Sequence, residues 1–386
     1  MFKLDKTKEF NIIVINLDGL RRDKLHLCPA LKDLSKNSLY FSQMNTVAPY
    51  TFASLHAIVS GLYPSSNGVN AYYNMFRFKK NTITTISQLV KKLGYYTCCD
   101  VNSKSVMPEQ GYDEYIVYDE QTIDFSKRHS NLIKKLSKKK FFLFLQNTET
   151  HNNLVRSIIE KDKEKSSDDE YFNSVEENDS IYNSHLPATD HYISTILDTL
   201  NELKISKNTV VIIFSDHGTS IGEKRGEKFY GVYVYDYTLN VFTIMYIPDQ
   251  TPKEVNVQCR TIDLFPTIAE IAGARKEQFD GKHGESLFSL IDNPDAEERE
   301  VFVETGGLYG PWPSPKKHNV FCVKINQKKL IYNDTPRTWE FYDLKNDPNE
   351  LDNLYDENSD EVKFLKERLT HYFQENNIIT SISSNN

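Results

Sequence analysis

What this chain lacks narrows its class first. Among its 386 residues no apolar run approaches the ~18 that a membrane-spanning helix requires, so a membrane span is not expected. Cysteine is scarce: Cys28, Cys98, Cys99, Cys259 and Cys322 are odd in number and irregularly spaced. They form neither a disulfide framework nor a metal-ligand pattern, so reduced thiols are the expectation. Excess positive charge is also missing. With 46 Lys and Arg against 54 Asp and Glu the net charge is −8, which argues against a nucleic-acid partner. The densest basic run, residues 134–140, leads into an apolar strand and reads as a solvated helix end. The apolar run 11–15 is too short for a secretory leader and soon meets Asp18. The expected location is therefore cytoplasmic.

What is present is an ordinary globular composition, 39% hydrophobic and 26% charged. The length suits one large domain with a smaller one, expected at 1–300 and 301–386. Short buried strands are predicted at 10–17, 95–101, 141–145, 209–214 and 242–247. Helices are predicted at 30–37, 83–93, 130–137, 181–203 and 261–272, with Pro187 kinking or resetting the fourth. The alternation argues for an α/β sheet covered on both faces. Residues 152–180 are polar and read as a long surface loop or lid. Beyond about residue 300, four short strands and a charged helix at 361–373 suggest a small antiparallel α+β subdomain.

The stretch 47–64 is the centre of the chain. Pro49 disfavours helix at Ala48, Thr51 is a good N-cap, and Gly61 and Pro64 close a short buried helix. Thr51 then lies where backbone N–H groups and the helix dipole favour an anion. The plain alternative is that Thr51 only caps the helix. Three polar clusters follow predicted strands: Asp18, Glu149 with His151, and Asp216 with His217. In an open α/β sheet, ligands bind beyond the carboxyl ends of strands. Mixed oxygen and nitrogen donors suit Zn²⁺ or Mn²⁺ better than Ca²⁺, with Ca²⁺ or Mg²⁺ as alternatives.

In order along the chain, residues 11–23 (NIIVINLDGLRRD), 51–64 with Gly68-Val69, and Gly94-Tyr95-Tyr96-Thr97 with Gly111-Tyr112-Asp113 resemble the sulfatase family of the alkaline phosphatase superfamily. So do 208–218 (NTVVIIFSDHG), 241–248, Asp263-Leu264-Phe265-Pro266-Thr267, Lys329-Leu330-Ile331 and Phe341-Tyr342-Asp343-Leu344. The resemblance implies a large mixed, mostly parallel sheet between helices and a small four-stranded C-terminal sheet with a helix. It implies metal ligation by Asp18, Thr51, Asp216 and His217, with Thr51 at the nucleophile position. His151 falls at a substrate or leaving-group histidine, and Asn70 and Asn102 fall at the substrate pocket.

The departures from that family are chemical. Thr51 stands where sulfatases carry the Cys or Ser that becomes formylglycine, and a threonine could yield only a ketone. Leu55 replaces the usual arginine, Gly19 the second aspartate, and Asn102 and Lys104 a Lys-x-His pair. His217 stands where calcium-dependent members carry Asn, and Asn152-Asn153 replaces a Pro-Tyr. The pattern resembles the phosphotransferase and phosphodiesterase branches, in which Thr attacks phosphorus directly. The expected reaction is attack by a cation-activated Thr51 on a phosphate ester, small or glycan-linked, through a phospho-threonine. His151 or Lys228 would protonate the leaving oxygen. Two other readings stay open: a sulfuric-ester hydrolase working without formylglycine, and a non-catalytic binding protein.

Overall fold

The computed structural model describes residues 8–162, 169–293, 296–307 and 319–382. Its main sheet uses β1 (Asn11–Leu17), β2 (Leu39–Asn45), β3 (Tyr96–Val101), β4 (Glu114–Val117), β5 (Phe141–Asn147), β6 (Thr209–Phe214), β7 (Asn240–Tyr246), β8 (Lys253–Val255) and β9 (Cys259–Arg260). The order is β4-β3-β5-β1-β6-β7-β2-β8, with β9 also paired to β2. Only β7 runs against the rest, pairing antiparallel to β6 and β2. The sheet is thus mixed and mostly parallel, as the resemblance implied.

The central strands are apolar on both faces because both faces are covered. Ile12, Val14, Phe142, Phe144, Val210 and Ile212 pack into one core. Their neighbours Ile13, Ile15, Leu143, Leu145, Val211 and Ile213 pack into the other. Cys98 and Cys99 divide between the two cores as strand alternation requires. All five cysteines are buried and free. The first core is roofed by α2 (Thr51–Ser60), α4 (Ile86–Lys92) and α10 (Leu264–Ile271). The second lies under α1 (Pro29–Lys36), α5 (Phe125–Leu136), α6 (Glu149–Asp162) and α8 (Val175–Glu202). The short α3 (Pro64–Asn67), α7 (Asp169–Asn173) and α9 (Asp236–Leu239) complete the helices of this part. No helix among the described residues is long and apolar enough to cross a membrane.

The second sheet is a meander, β10 (Val301–Gly306), β11 (Asn319–Ile325), β12 (Lys328–Asn333) and β13 (Thr338–Asp343). One face packs on α11 (Asp360–Glu375) through Phe321, Val323, Leu330 and Phe341. The other packs Val301, Val303, Val320 and Cys322 against Val234, Tyr235 and Leu239. Glu304 N–H donates to Val47 O at 3.1 Å, tying this sheet to the loop that leads into α2.

Two expectations fail and a third is narrowed. The loop or lid at 152–180 is helical at every described residue but Ser174: α6 runs to Asp162, α7 spans Asp169–Asn173 and α8 begins at Val175. Residues 163–168 lie outside the described residues. Its sparse apolar residues sufficed, because Leu154, Ile158 and Tyr171 are placed inward and fully buried. Of the two effects expected of Pro187, a reset start is not seen, since Pro187 sits inside α8, which begins at Val175. Thr51 is not the cap of α2. Tyr50 is, in an extended conformation, and Thr51 is the first helical residue.

Candidate active site

Asp18 leaves the carboxyl end of β1, and Asp216 and His217 leave that of β6, its parallel neighbour. The N-terminus of α2 points Thr51 at the same spot. Thr51 Oγ1 lies 3.3 and 3.4 Å from the Asp18 carboxylate oxygens and 3.1 Å from His217 Nε2. Asp18, Asp216 and His217 each turn one ligand-type atom inward, all within 4.8 Å of one another. All four residues are buried.

Hydrogen bonds fix which atoms face inward. His217 Nδ1 donates to Gly218 O at 2.7 Å, which leaves the Nε2 lone pair facing Thr51. Asp216 Oδ1 accepts from the Gly19 and His217 N–H groups at 3.3 and 3.1 Å. Its Oδ2 is buried with no partner. Burial, reinforced by the Asp18 charge, pushes the Asp216 carboxyl well above the usual carboxylate range. Burial also lowers the pKa of His217, against the pull of Asp18, so the ring is held neutral. Two buried acids beside a neutral imidazole form a donor set that a divalent cation fits. The cation would satisfy the orphaned Asp216 oxygen and offset the acid pair.

Gly19 accounts for the missing second aspartate. Its φ is +67°, and a Cβ there would stand 2.8 Å from Thr219 Oγ1 and 3.1 Å from His151 Cδ2. Thr219 fills the space such a carboxylate needs. Leu55 is wholly buried in the apolar core beneath α2.

The other expected site residues are distributed less tightly. His151 opens α6 with its ring 6.2 Å from that of His217, its Nδ1 3.1 Å from Asn152 Oδ1 and its Nε2 buried without a partner. Lys228 is half-buried, its ammonium 5.5 Å from the Tyr171 ring centroid. Asn70 Oδ1 accepts from Asn74 Nδ2 at 2.7 Å. Asn102 donates from Nδ2 to Glu120 at 2.7 Å and from its backbone N–H to Gln146 Oε1 at 3.1 Å.

Sequence reasoning missed Tyr230 and Gln146. The Tyr230 ring packs 4.8 Å from His217 and 5.0 Å from His151. Gln146 Nε2 donates to Asp18 Oδ2 at 2.8 Å. The signals were there: a run of tyrosines at 230–237, and a glutamine closing an otherwise apolar strand.

Comparison with known proteins fits this geometry. The model of the sulfatase family matches residues 11–274, more than half of the chain. A C-terminal model described as N-sulphoglucosamine sulphohydrolase matches 226–376. Among curated proteins, an ulvan-active sulfatase of Formosa agariphila is 32% identical over 182 residues, 45% of this chain and 34% of that protein. Human arylsulfatase K is 28% identical over 184 residues, 45% of this chain and 33% of that protein. The chain thus spans about a third of the length of the curated relatives it matches. A solved 2-O GAG sulfatase superposes with TM-score 0.78 at 18% identity, covering 96% of this chain and 93% of the other. A phosphonate monoester hydrolase of Silicibacter pomeroyi superposes with TM-score 0.74 at 14% identity, covering 96% of both. These two likenesses are of fold.

Proposed function

This chain belongs to the sulfatase family, and from that premise we propose that it is a metal-dependent enzyme cleaving phosphate esters with Thr51 as nucleophile. The observation that carries the reading is Thr51 Oγ1 held 3.1–3.4 Å from His217 Nε2 and both Asp18 oxygens at one buried point. A divalent ion held by Asp18, Asp216, His217 and Thr51 would acidify the threonine hydroxyl and offset charge on the ester. Zn²⁺ or Mn²⁺ suits this donor set best.

The chain's own groups supply the rest. The first-turn N–H groups of α2 lack intrahelical partners, and they favour an anionic ester in front of Thr51. Thr51 loses its proton to solvent water, and Oγ1 bonds to phosphorus as the P–O bond to the ester oxygen breaks. His151 Nε2 is the better-situated proton donor for that oxygen, with Lys228 the alternative. The neutral His151 then takes a proton from a water whose oxygen bonds to phosphorus; the P–Oγ1 bond breaks, phosphate leaves and Thr51 regains a proton from solvent. Asn70 and Asn102 are assigned to the pocket wall, and residues 1–300 and 301–386 to a catalytic domain and a subdomain. Small or glycan-linked esters are the proposed substrates.

A sulfate ester is the second reading, favoured by relatives that include an ulvan-active sulfatase and an arylsulfatase. Metal-loaded protein assayed with p-nitrophenyl phosphate, bis-p-nitrophenyl phosphate and p-nitrophenyl sulfate separates the two. Mass spectrometry of acid-quenched enzyme should find phosphate on Thr51. A preference for the sulfate ester would overturn the phosphate assignment, and turnover without any Thr51 adduct would remove the nucleophile.

A further inference from the structure

Gln146 is fully buried at the end of β5, directly opposite Asn16 on β1. A buried amide is costly unless its groups are paired, and an apolar side chain of the same shape would fill the space at little cost. Here the pairing has a direction. The Asn102 backbone N–H can only donate, so Gln146 must turn Oε1 toward it, at 3.1 Å. The amide cannot flip, and Nε2 is left to donate to Asp18 Oδ2 at 2.8 Å. Tyr118 Oη steadies the same residue from its main-chain oxygen at 3.0 Å.

The outcome mirrors Asp216. There, two backbone N–H groups occupy Oδ1 and leave Oδ2 without a partner. On Asp18 the Gln146 amide occupies Oδ2, and Oδ1 stands 3.6 Å from His217 Nε2. Each carboxylate therefore keeps one oxygen that no amide occupies, Oδ2 of Asp216 and Oδ1 of Asp18, the latter 3.4 Å from Thr51 Oγ1. With His217 Nε2 and Thr51 Oγ1 the donors number four. Ca²⁺ takes 6–8 oxygens and often two from one carboxylate, whereas Zn²⁺-like ions accept four donors including nitrogen.

We infer that Gln146 is a positioning residue that keeps Asp18 a one-oxygen ligand and so biases the site toward a small transition-metal dication and against Ca²⁺. The inference rests on the proposed ion site but concerns a residue outside its donor set. The test uses the full chain, stripped of metal and titrated with Co²⁺ and Ca²⁺. Gln146→Met keeps the shape and loses both hydrogen bonds. Gln146→Glu keeps the acceptor for Asn102 and removes the donor to Asp18. Both should bind Co²⁺ ~10–100-fold more weakly, the usual cost of losing such an outer partner. Ca²⁺ binding should hold or improve, and the visible Co²⁺ absorption should change in intensity as the coordination changes. If Gln146→Met does not fold, Gln146→Glu decides. Unchanged Co²⁺ spectra, or equal losses for both ions, would overturn the inference alone. Failure of the unsubstituted chain to bind any ion saturably would overturn the site with it.

Discussion

Two clusters of buried charge flank the segment 218–235, and they are built on opposite rules. At one end Asp18 and Asp216 face a neutral His217. His217 Nε2 lies 3.6 Å from Asp18 Oδ1 and 3.8 Å from Asp216 Oδ2. At the other end Asp236 binds Lys324 at 2.8 Å and Lys329 at 2.9 Å, and Lys329 also holds Glu350 at 2.7 Å. Two acids meet two lysines there, and Asp236 is held below the usual carboxylate range by the pair against the cost of burial. Asp216 is pushed the other way. A closed ion cluster ties the second sheet to the first, since Lys324 and Lys329 come from β11 and β12. The first cluster, Asp18, Asp216 and His217, contains no cationic side chain of its own, and that imbalance is the physical case for a cation site.

The largest effect that would break this contrast is expected from Thr51→Ala. Turnover of any phosphoester should fall by ~10³-fold or more, as when an attacking hydroxyl is removed elsewhere. The melting temperature should hardly move, because Thr51 makes no capping hydrogen bond and Tyr50 occupies the cap position. Thr51→Ser should keep much of the rate. Comparable rates for the Ala variant and the unsubstituted chain would remove Thr51 from the chemistry and leave the fold untouched.

Much of this is legible in the sequence. Apolar runs bounded by Asp18, Thr148 and Asp216 marked the three central strands, because strands covered on both faces must be apolar throughout. The same runs carried the site residues at their ends. Strand β2 was not legible: Leu39–Asn45 mixes Tyr, Ser, Gln and Asn, and its place comes from pairing with β7 around a bulge. Nor was α6, whose helix is stabilised by a few inward residues rather than by a long amphipathic pattern. The role of Gln146 depends on a direction set by the Asn102 N–H, a contact across 44 positions. Local pattern has no access to that.

The second break is in stability. Lys329→Met should leave Asp236 and Glu350 buried without their shared cation, at a cost of ~3–5 kcal/mol in urea unfolding. Asp18→Asn should do the reverse in the metal-free protein and raise its melting temperature by easing repulsion with Asp216. Ion binding should be lost in the same variant. Equal destabilisation by both variants would mean the two clusters follow one rule after all.

The pH dependence sharpens the contrast further. Asp236 has a lowered pKa, so its contribution is present above the unfolded value of about 3.9 and is lost as pH falls below it. Lys329 has a raised pKa, so its share is present below about 10.4 and is lost at higher pH. Burial and Asp236 push Glu350 up to about 7 against Lys329, so it opposes stability as pH rises toward that value. Asp236→Asn should therefore flatten the acid limb of urea-unfolding stability. Ion affinity should follow another curve. His217 must be neutral to ligate and its pKa is lowered by burial, so Mn²⁺ affinity should weaken only below the ordinary imidazole value of about 6.5. Mn²⁺ affinity independent of pH down to 4 would exclude His217 from the donor set.

The smallest effect is expected from Lys228→Met. Lys228 lies on the segment between the two clusters, with its ammonium 5.5 Å from the Tyr171 ring centroid. A proton donor matters most when the leaving oxygen is basic. An alkyl ester therefore reports on it, while p-nitrophenol leaves without help. His151→Ala should slow the alkyl ester by ~10²–10⁴-fold and spare the p-nitrophenyl ester, the range general acids contribute. Lys228→Met should slow both by less than ~10-fold, below the lower end of that range. If Lys228→Met instead selectively slows the alkyl ester, the proton comes from Lys228. His151, whose Nε2 is buried without a partner beside His217, would then be left to bind substrate.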